Sequence, residues 1–278
     1  MAQNSLVKHQ PKFSVAIQGD TYKNLINQTL GDPKRAQRFT AAVMSAVSVN
    51  PALQDCDAGT ILSSALLGES LNLSPSPQLG QYYMVPFNDT KNDRKVAQFQ
   101  LGYKGYIQLA IRSGQYKKIN VIAIKEGELR SFDQLNEVID AVLIDDEETR
   151  ENAVTVGYYA MFEYLNGFRK AMYWSKPKME AHAMKYSKGY AAKKGYTFWE
   201  KDFDGMAFKT MLRQLISKWG IMSIEMQDAY EKDMAIITET GNVDNVDNDD
   251  TPSKIEGKAT DTKEKVEKPI EGDDPFGN

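Results

Sequence analysis

The sequence predicts an α+β fold, in which consecutive antiparallel β-hairpins pack on amphipathic helices and an acidic, unfolded tail follows. Three observations point there. Val96–Leu101 (VAQFQL) alternates strictly between two faces; Asn166–Gly167 lies between two runs of alternating β-formers; and the large apolar residues of Phe198–Trp219 recur every three to five positions.

In order along the chain, residues 1–50 read as a helical region suited to a subunit contact, residues 51–237 as the α+β core and residues 238–278 as the tail. Cys56, in an apolar helix-like stretch, reads as a small buried side chain. Tyr82–Phe87 is expected to pair with Val96–Leu101 across the polar turn NDTKNDRK. The alternation puts Ala97, Phe99 and Leu101 on one face and Val96, Gln98 and Gln100 on the other. After Gly102, GYKGYIQLAIRSG takes helical spacing, with Tyr103, Ile107, Ala110 and Ile111 as its apolar stripe. On the opposite ridge Lys104, Gln108 and Arg112 recur every four residues. Gly114 closes this helix and Tyr116–Lys125 returns as a strand. The Asn166–Gly167 turn, expected as type I′, joins strands over Val154–Leu165 and Phe168–Trp174. Val154, Val156, Tyr158, Ala160 and Phe162 share one face of the first; Phe168, Lys170, Met172 and Trp174 share one of the second. Pro177 suits the start of a short helix over Lys178–Tyr186; Phe198–Trp219 is the longest helix, closed by Gly220; and Ile221–Ile237 forms another.

The net charge of −4 averages over unlike pieces. From Thr238 onward twelve acidic residues face five lysines, a net of −7, so the 237 residues before carry +3. A segment so polar and nearly free of aromatics cannot offset its ordering entropy. Within the core, the 32 residues between Asp93 and Glu126 hold seven Lys or Arg and no acid. Acid-free gaps also separate Glu163 from Glu180, Glu180 from Glu200 and Asp204 from Glu225. Such segregation creates a local positive field fit for phosphate, although an ordinary solvated face is the bland alternative.

Several function classes recede. No run of 18 apolar residues and no signal-peptide core occur, so the cytoplasm is the expected compartment, with no membrane partner. One cysteine excludes an intramolecular disulfide, and two histidines make a zinc site unexpected. Neither GxxxxGK[ST] nor GxGxxG occurs, so no ATP or other nucleotide cofactor is expected and magnesium has at most a modulatory role. The acidic groups Asp145–Glu148 and Asp202/Asp204 suit a polar loop and a helix start better than a two-metal nuclease, and no catalytic residue is assigned. The GYKG stretch follows a strand, unlike the helix-joining GxxG of KH domains.

The string AQFQLGYKGYIQLAIRSGQYKKINVIAIKEGEL resembles the signature region of the RecT family of phage and prophage single-strand annealing proteins. ALLGESLNLSPSPQLGQYYMVPF, NGFRKAMYW and WEKDFDGMAFKTMLRQLISKWGIMS agree, in the family's order, from about Ala65 to Ser223. The resemblance implies an annealing protein rather than an enzyme, assembled into rings or helical filaments on single-stranded DNA and the annealed duplex. It also implies a 5′→3′ exonuclease and the host single-strand-binding protein as partners.

Annealing requires two polyanions to be brought together with their bases accessible. Cations that would lower phosphate repulsion are Lys104, Arg112, Lys117, Lys118, Arg169, Lys170, Lys209, Arg213 and Lys218. Aromatics placed to stack on bases are Tyr103, Tyr106, Trp174, Phe198 and Trp199, and Gln98, Gln100 and Gln108 would bond phosphate or sugar. Core packing is the competing reading for Tyr103, Trp199 and Trp219. A rival from another class is a protein-interaction scaffold whose basic grooves serve acidic partners. The closing EGDDPFGN resembles the acidic tip of bacterial single-strand-binding proteins, although Gly277–Asn278 extend past Phe276; a solubilising tail is the alternative.

Overall fold

The computed structural model describes residues 12–89, 92–238 and 243–245. The segment beyond residue 245, for which the sequence predicts an unfolded tail and a partner-binding tip, lies outside them, as do residues 1–11. Helices come first: α1 (Phe13–Ala16), α2 (Asp20–Leu30), α3 (Pro33–Val49), a 3-10 turn (Pro51–Asp55) and α4 (Ala58–Ser70). Strands β1 (Tyr82–Asp89) and β2 (Arg94–Leu101) precede α5 (Tyr103–Arg112). Next are β3 (Tyr116–Lys125), β4 (Leu129–Asp133), β5 (Val138–Ala141), α6 (Glu147–Asn152), β6 (Thr155–Tyr164) and β7 (Arg169–Ser175). The chain continues through α7 (Lys176–Tyr186), α8 (Lys188–Ala191), α9 (Phe198–Lys201), α10 (Phe203–Trp219), α11 (Ile224–Lys232), β8 (Ala235–Ile237) and β9 (Val243–Asn245). None of the described helices is long and apolar enough to cross a membrane.

The architecture is α+β with antiparallel sheets, as the alternating runs predict. One sheet has the order β1-β2-β8-β9, a second β3-β6-β7, and β4-β5 form a separate hairpin. Tyr82 lies opposite Leu101 and Phe87 opposite Val96, the register that alternation requires. The first sheet packs on α4, which buries residues all round and needs Gly68: a Cβ there would sit 2.3 Å from the Tyr82 ring. Helices α1 to α5 share one apolar cluster with β1 and β2. On the second sheet, Tyr158, Ala160 and Phe162 face Met179 of α7 and Met211 and Leu215 of α10. Its opposite face carries Ile124, Tyr159 and Ala171 under Phe132 and Ile139 of the β4–β5 hairpin.

Two buried carboxylates tie these layers together. Asp233 accepts from the Leu101 backbone N–H at 2.9 Å, Lys209 Nζ at 2.8 Å, Arg213 at 2.7 Å and the Tyr106 hydroxyl at 3.2 Å. Burial alone would raise the Asp233 carboxyl, but the Lys209 and Arg213 charges more than offset it and hold it below the usual carboxylate range. Glu128 accepts from the backbone N–H groups of Lys125 and Ile144 and from Arg150 Nε at 2.6 Å, which closes the excursion that holds β4, β5 and α6.

Local expectations fail where distant contacts decide. In α5 the buried stripe is Tyr106, Leu109 and Ala110, whereas Ile111 is exposed. The β6–β7 turn is not type I′: only Gly167 has positive φ, and Gly167 N–H donates to the Tyr164 carbonyl in a loop one residue longer. Val156 packs with Ile124 and Tyr159 instead of Tyr158, because a bulge between the Ile124–Gly157 and Lys125–Thr155 pairs turns it over. The helix expected over Phe198–Trp219 breaks at Asp202, which leaves helical geometry to cap Gly205. The Ile221–Ile237 helix stops at Lys232, since Ala235–Ile237 is wholly buried and pairs with β2. The expected tail contributes β9, paired with β8. The hairpin β4–β5, to which the sequence assigns no element, forms around Asp133, which bonds Leu135, and helix α6 stands where a polar loop is expected, started by Asp146, which caps Thr149.

Candidate nucleic-acid interface

The cations and aromatics singled out from sequence divide into three groups by placement. A first group is internal. Lys209 and Arg213 recur at i, i+4 as expected, but their charges are spent on Asp233 inside the protein, so they hold the fold and do not face a polyanion. Tyr106 is fully buried in the same node, and Gln98 is buried with its amide donating to the Met234 carbonyl. Gln100 is half-buried and donates to Gln98, and Trp199 is in the core against Phe203.

A second group is at the surface but committed. Arg112 donates to the carbonyls of Leu71 and Asn72, both at 2.8 Å, at the C-terminal end of α4, where helix carbonyls lack partners. Gln108 is half-buried beside it, and Tyr103 packs edge-on to Phe208. Only Lys104 of that ridge is exposed without such a task. Arg112→Ala is therefore expected to lower stability by about 0.5–1.5 kcal/mol, the worth of a lost capping bond, with the salt dependence of DNA binding unchanged. Urea unfolding and a salt titration of single-strand binding check the two halves. Phe198 is partly exposed and packs on Tyr83.

The third group gathers on the second sheet. Lys117, Lys118 and Arg169 surround Glu163, which the Lys117 hydrogen bond at 2.6 Å holds below the usual carboxylate range, with Lys118 and Arg169 adding to the effect. Three cations against one carboxylate leave that end of the sheet positive. Next to Arg169, along the edge of β7, begins a cleft of about 280 Å³.

Its floor is β7 itself, Ala171 to Trp174, whose outer edge pairs with no other described strand. One wall is the β4–β5 hairpin, through Phe132, Gln134 and Glu137; the other is Lys178 of α7 with Gln214, Lys218 and Trp219 of α10. Trp219 is 50% exposed. The Lys170 ammonium lies 4.1 Å from the Trp219 ring centre, and the Lys178 ammonium 4.5 Å from that of Trp174, distances at which a ring face attracts a cation. Lys178 and Lys218 pair with no carboxylate among the described residues, and Glu137 is the one acid in the walls. The cleft thus offers flat aromatic surface, open strand edge and ammonium groups within a few ångströms of one another. Lys170, Trp174 and Lys218 were expected to bind DNA; Lys178 and Trp219 were not singled out for it. Lys178 was visible within an acid-free gap, and Trp219 only through the packing that leaves it outside the core.

The RecT family model matches residues 37–251. Protein RecT of Escherichia coli (strain K12) is 30% identical over 200 residues, which cover 71% of this chain and 71% of that protein. A second relative, the uncharacterized protein YqaK of Bacillus subtilis (strain 168), is 40% identical over 285 residues, 99% of this chain and 92% of its own length. The family-model match spans both sheets, the cleft between α10 and β7, and the buried node at Asp233, and the chain belongs to the RecT family.

Proposed function

We propose that the protein binds single-stranded DNA along the open edge of β7 and anneals complementary strands in recombination without nucleotide hydrolysis. Family membership supports single-strand annealing. The cleft supports the placement, because each of two tryptophans there carries a lysine over its ring, the pairing of stacking surface and cation that a base and its phosphate require. Nothing in that contact set reads base edges, so binding is indifferent to sequence. The absence of a phosphate-binding loop motif supports ATP-free action. Lys117, Lys118 and Arg169 would receive backbone beyond the cleft.

Homo-oligomeric assembly as a ring or filament belongs to the same reading, with the N-terminal helices as the subunit contact; an apolar cleft between α2 and α3, lined by Ile26, Ala36 and Met44, supports that surface. A 5′→3′ exonuclease that exposes single strands, a host single-strand-binding protein and a cytoplasmic setting complete it. The test is direct: two complementary oligonucleotides, one fluorescent and one quenching, are mixed with protein in buffer free of nucleotide. Pairing is expected to outrun the spontaneous rate severalfold. A rate equal to the spontaneous one would reject annealing and favour a scaffold for acidic partners.

A further inference from the structure

We propose that the edge of β7 carries a phosphate subsite, formed by the Lys170 ammonium and the Ala171 backbone N–H, and that Glu137 occupies it as a built-in competitor of the DNA backbone. The inference rests on the cleft being the DNA site.

The Glu137 carboxylate bridges both donors, accepting from Lys170 Nζ at 2.6 Å and from Ala171 N–H at 3.2 Å. An ammonium and a backbone N–H converging on one anion is a donor set that phosphate oxygens also take. The ammonium lies over the Trp219 ring, so an anion there adjoins a surface on which a base can stack. Neither partner is sealed in: the side chains of Lys170 and Glu137 are 20% and 28% exposed.

The position of Glu137 in the chain points the same way. It sits on the β4–β5 turn with φ of 58°, a left-handed conformation that glycine or asparagine adopts more readily than glutamate. The turn does not need the glutamate side chain, because Asp133 bonds the Leu135 and Asn136 backbone N–H groups and the Asn136 amide. The hairpin is also held to the sheet by Phe132 and Ile139. A carboxylate is therefore kept at a strained position whose local structure is already satisfied, and its bonds are made across the cleft.

A competitor and a mere support for Lys170 predict opposite outcomes. With full-length protein, fluorescein-labelled oligo-dT and anisotropy read across a potassium chloride series, Glu137→Gln and Glu137→Gly are each expected to bind several-fold more tightly. The log–log salt slope should steepen by about 0.7, one additional phosphate on a single strand. Glu147→Gln on α6, which removes the same charge outside the cleft, is expected to change neither. Unchanged or weaker binding by both Glu137 variants, with native thermal melts, would overturn the proposal, as would an equal gain from Glu147→Gln. The double variant Lys178→Ala with Lys218→Ala separates the two claims. If it weakens binding while the Glu137 variants do not tighten it, the cleft stands and the competitor falls; if it has no effect, the cleft falls and the subsite with it.

Discussion

Asp233→Asn is expected to destabilise the protein by about 3–5 kcal/mol, the penalty for leaving buried cations without their counter-ion. The carboxylate is fully buried and answers two charges, Lys209 and Arg213, together with a tyrosine hydroxyl and a strand N–H. The substitution preserves volume but removes the charge and turns one acceptor oxygen into an amide donor that faces other donors, so the loss combines electrostatics with a broken hydrogen-bond set. Against a total stability of roughly 5–15 kcal/mol it is a large fraction. Urea unfolding followed by tryptophan fluorescence measures it; a loss below about 1 kcal/mol, the worth of an ordinary surface pair, would show that the node is not what holds α5, β2 and α10 together. The pH dependence follows from the same group. Its folded-state titration lies below the unfolded value of about 3.9, so its contribution is complete above that value and disappears as pH falls through the folded-state titration. Asp233→Asn should lack this part of the acid limb. Adding Lys209→Met should restore part of the stability, because one of the stranded charges is then gone.

Trp219→Ala is expected to weaken single-strand binding by about 1–3 kcal/mol, the range for loss of a stacked base, while the thermal melt moves little because the residue is already half exposed. Lys178→Ala with Lys218→Ala should act differently. If each ammonium neutralises one phosphate, the log–log salt slope becomes shallower by about 1.4. An anisotropy titration at several salt concentrations separates the two signatures: the tryptophan variant shifts the line and the lysine pair tilts it. Parent-like affinity in Trp219→Ala would remove the cleft from the DNA path.

The strands were the most legible part of this fold. Where burial alternates, as in Tyr82–Val85, a period of two residues is imposed by the core and can be read directly; Val96–Phe99 is buried on both faces, yet it pairs with β1 in the register expected. Glycines at 114 and 167 carry the positive φ that their turns need, and both were visible as breaks. What stayed hidden depends on partners remote in sequence. Lys209 and Arg213 lie in an acid-free gap and look like a free basic face; the acid that neutralises them is in another element, and only the fold brings it inside. Tyr106 and Gln98 went the same way, drawn into contacts with residues 233 and 234. The proposed binding cleft was legible as ingredients, in Lys170, Trp174 and Lys218. Their assembly was not, because it needs α10 to cross beside the free edge of β7. Glu137 carried no signal at all, in a stretch to which the sequence assigns no element.

The first sheet takes its third strand from the far end of the core. Gln98 and Phe99 pair with Ile236 and Ala235, about half the chain away in sequence. During synthesis, β2 therefore waits with one edge unpaired, and Lys209 and Arg213 wait without Asp233, until nearly all of the folded region has left the ribosome. Contacts of such long range are slow to form, and an unpaired strand edge is the surface on which nascent chains associate wrongly. Arrival of the short segment Asp233–Ile237 removes both hazards at once: it supplies the missing strand and the missing charge in the same step.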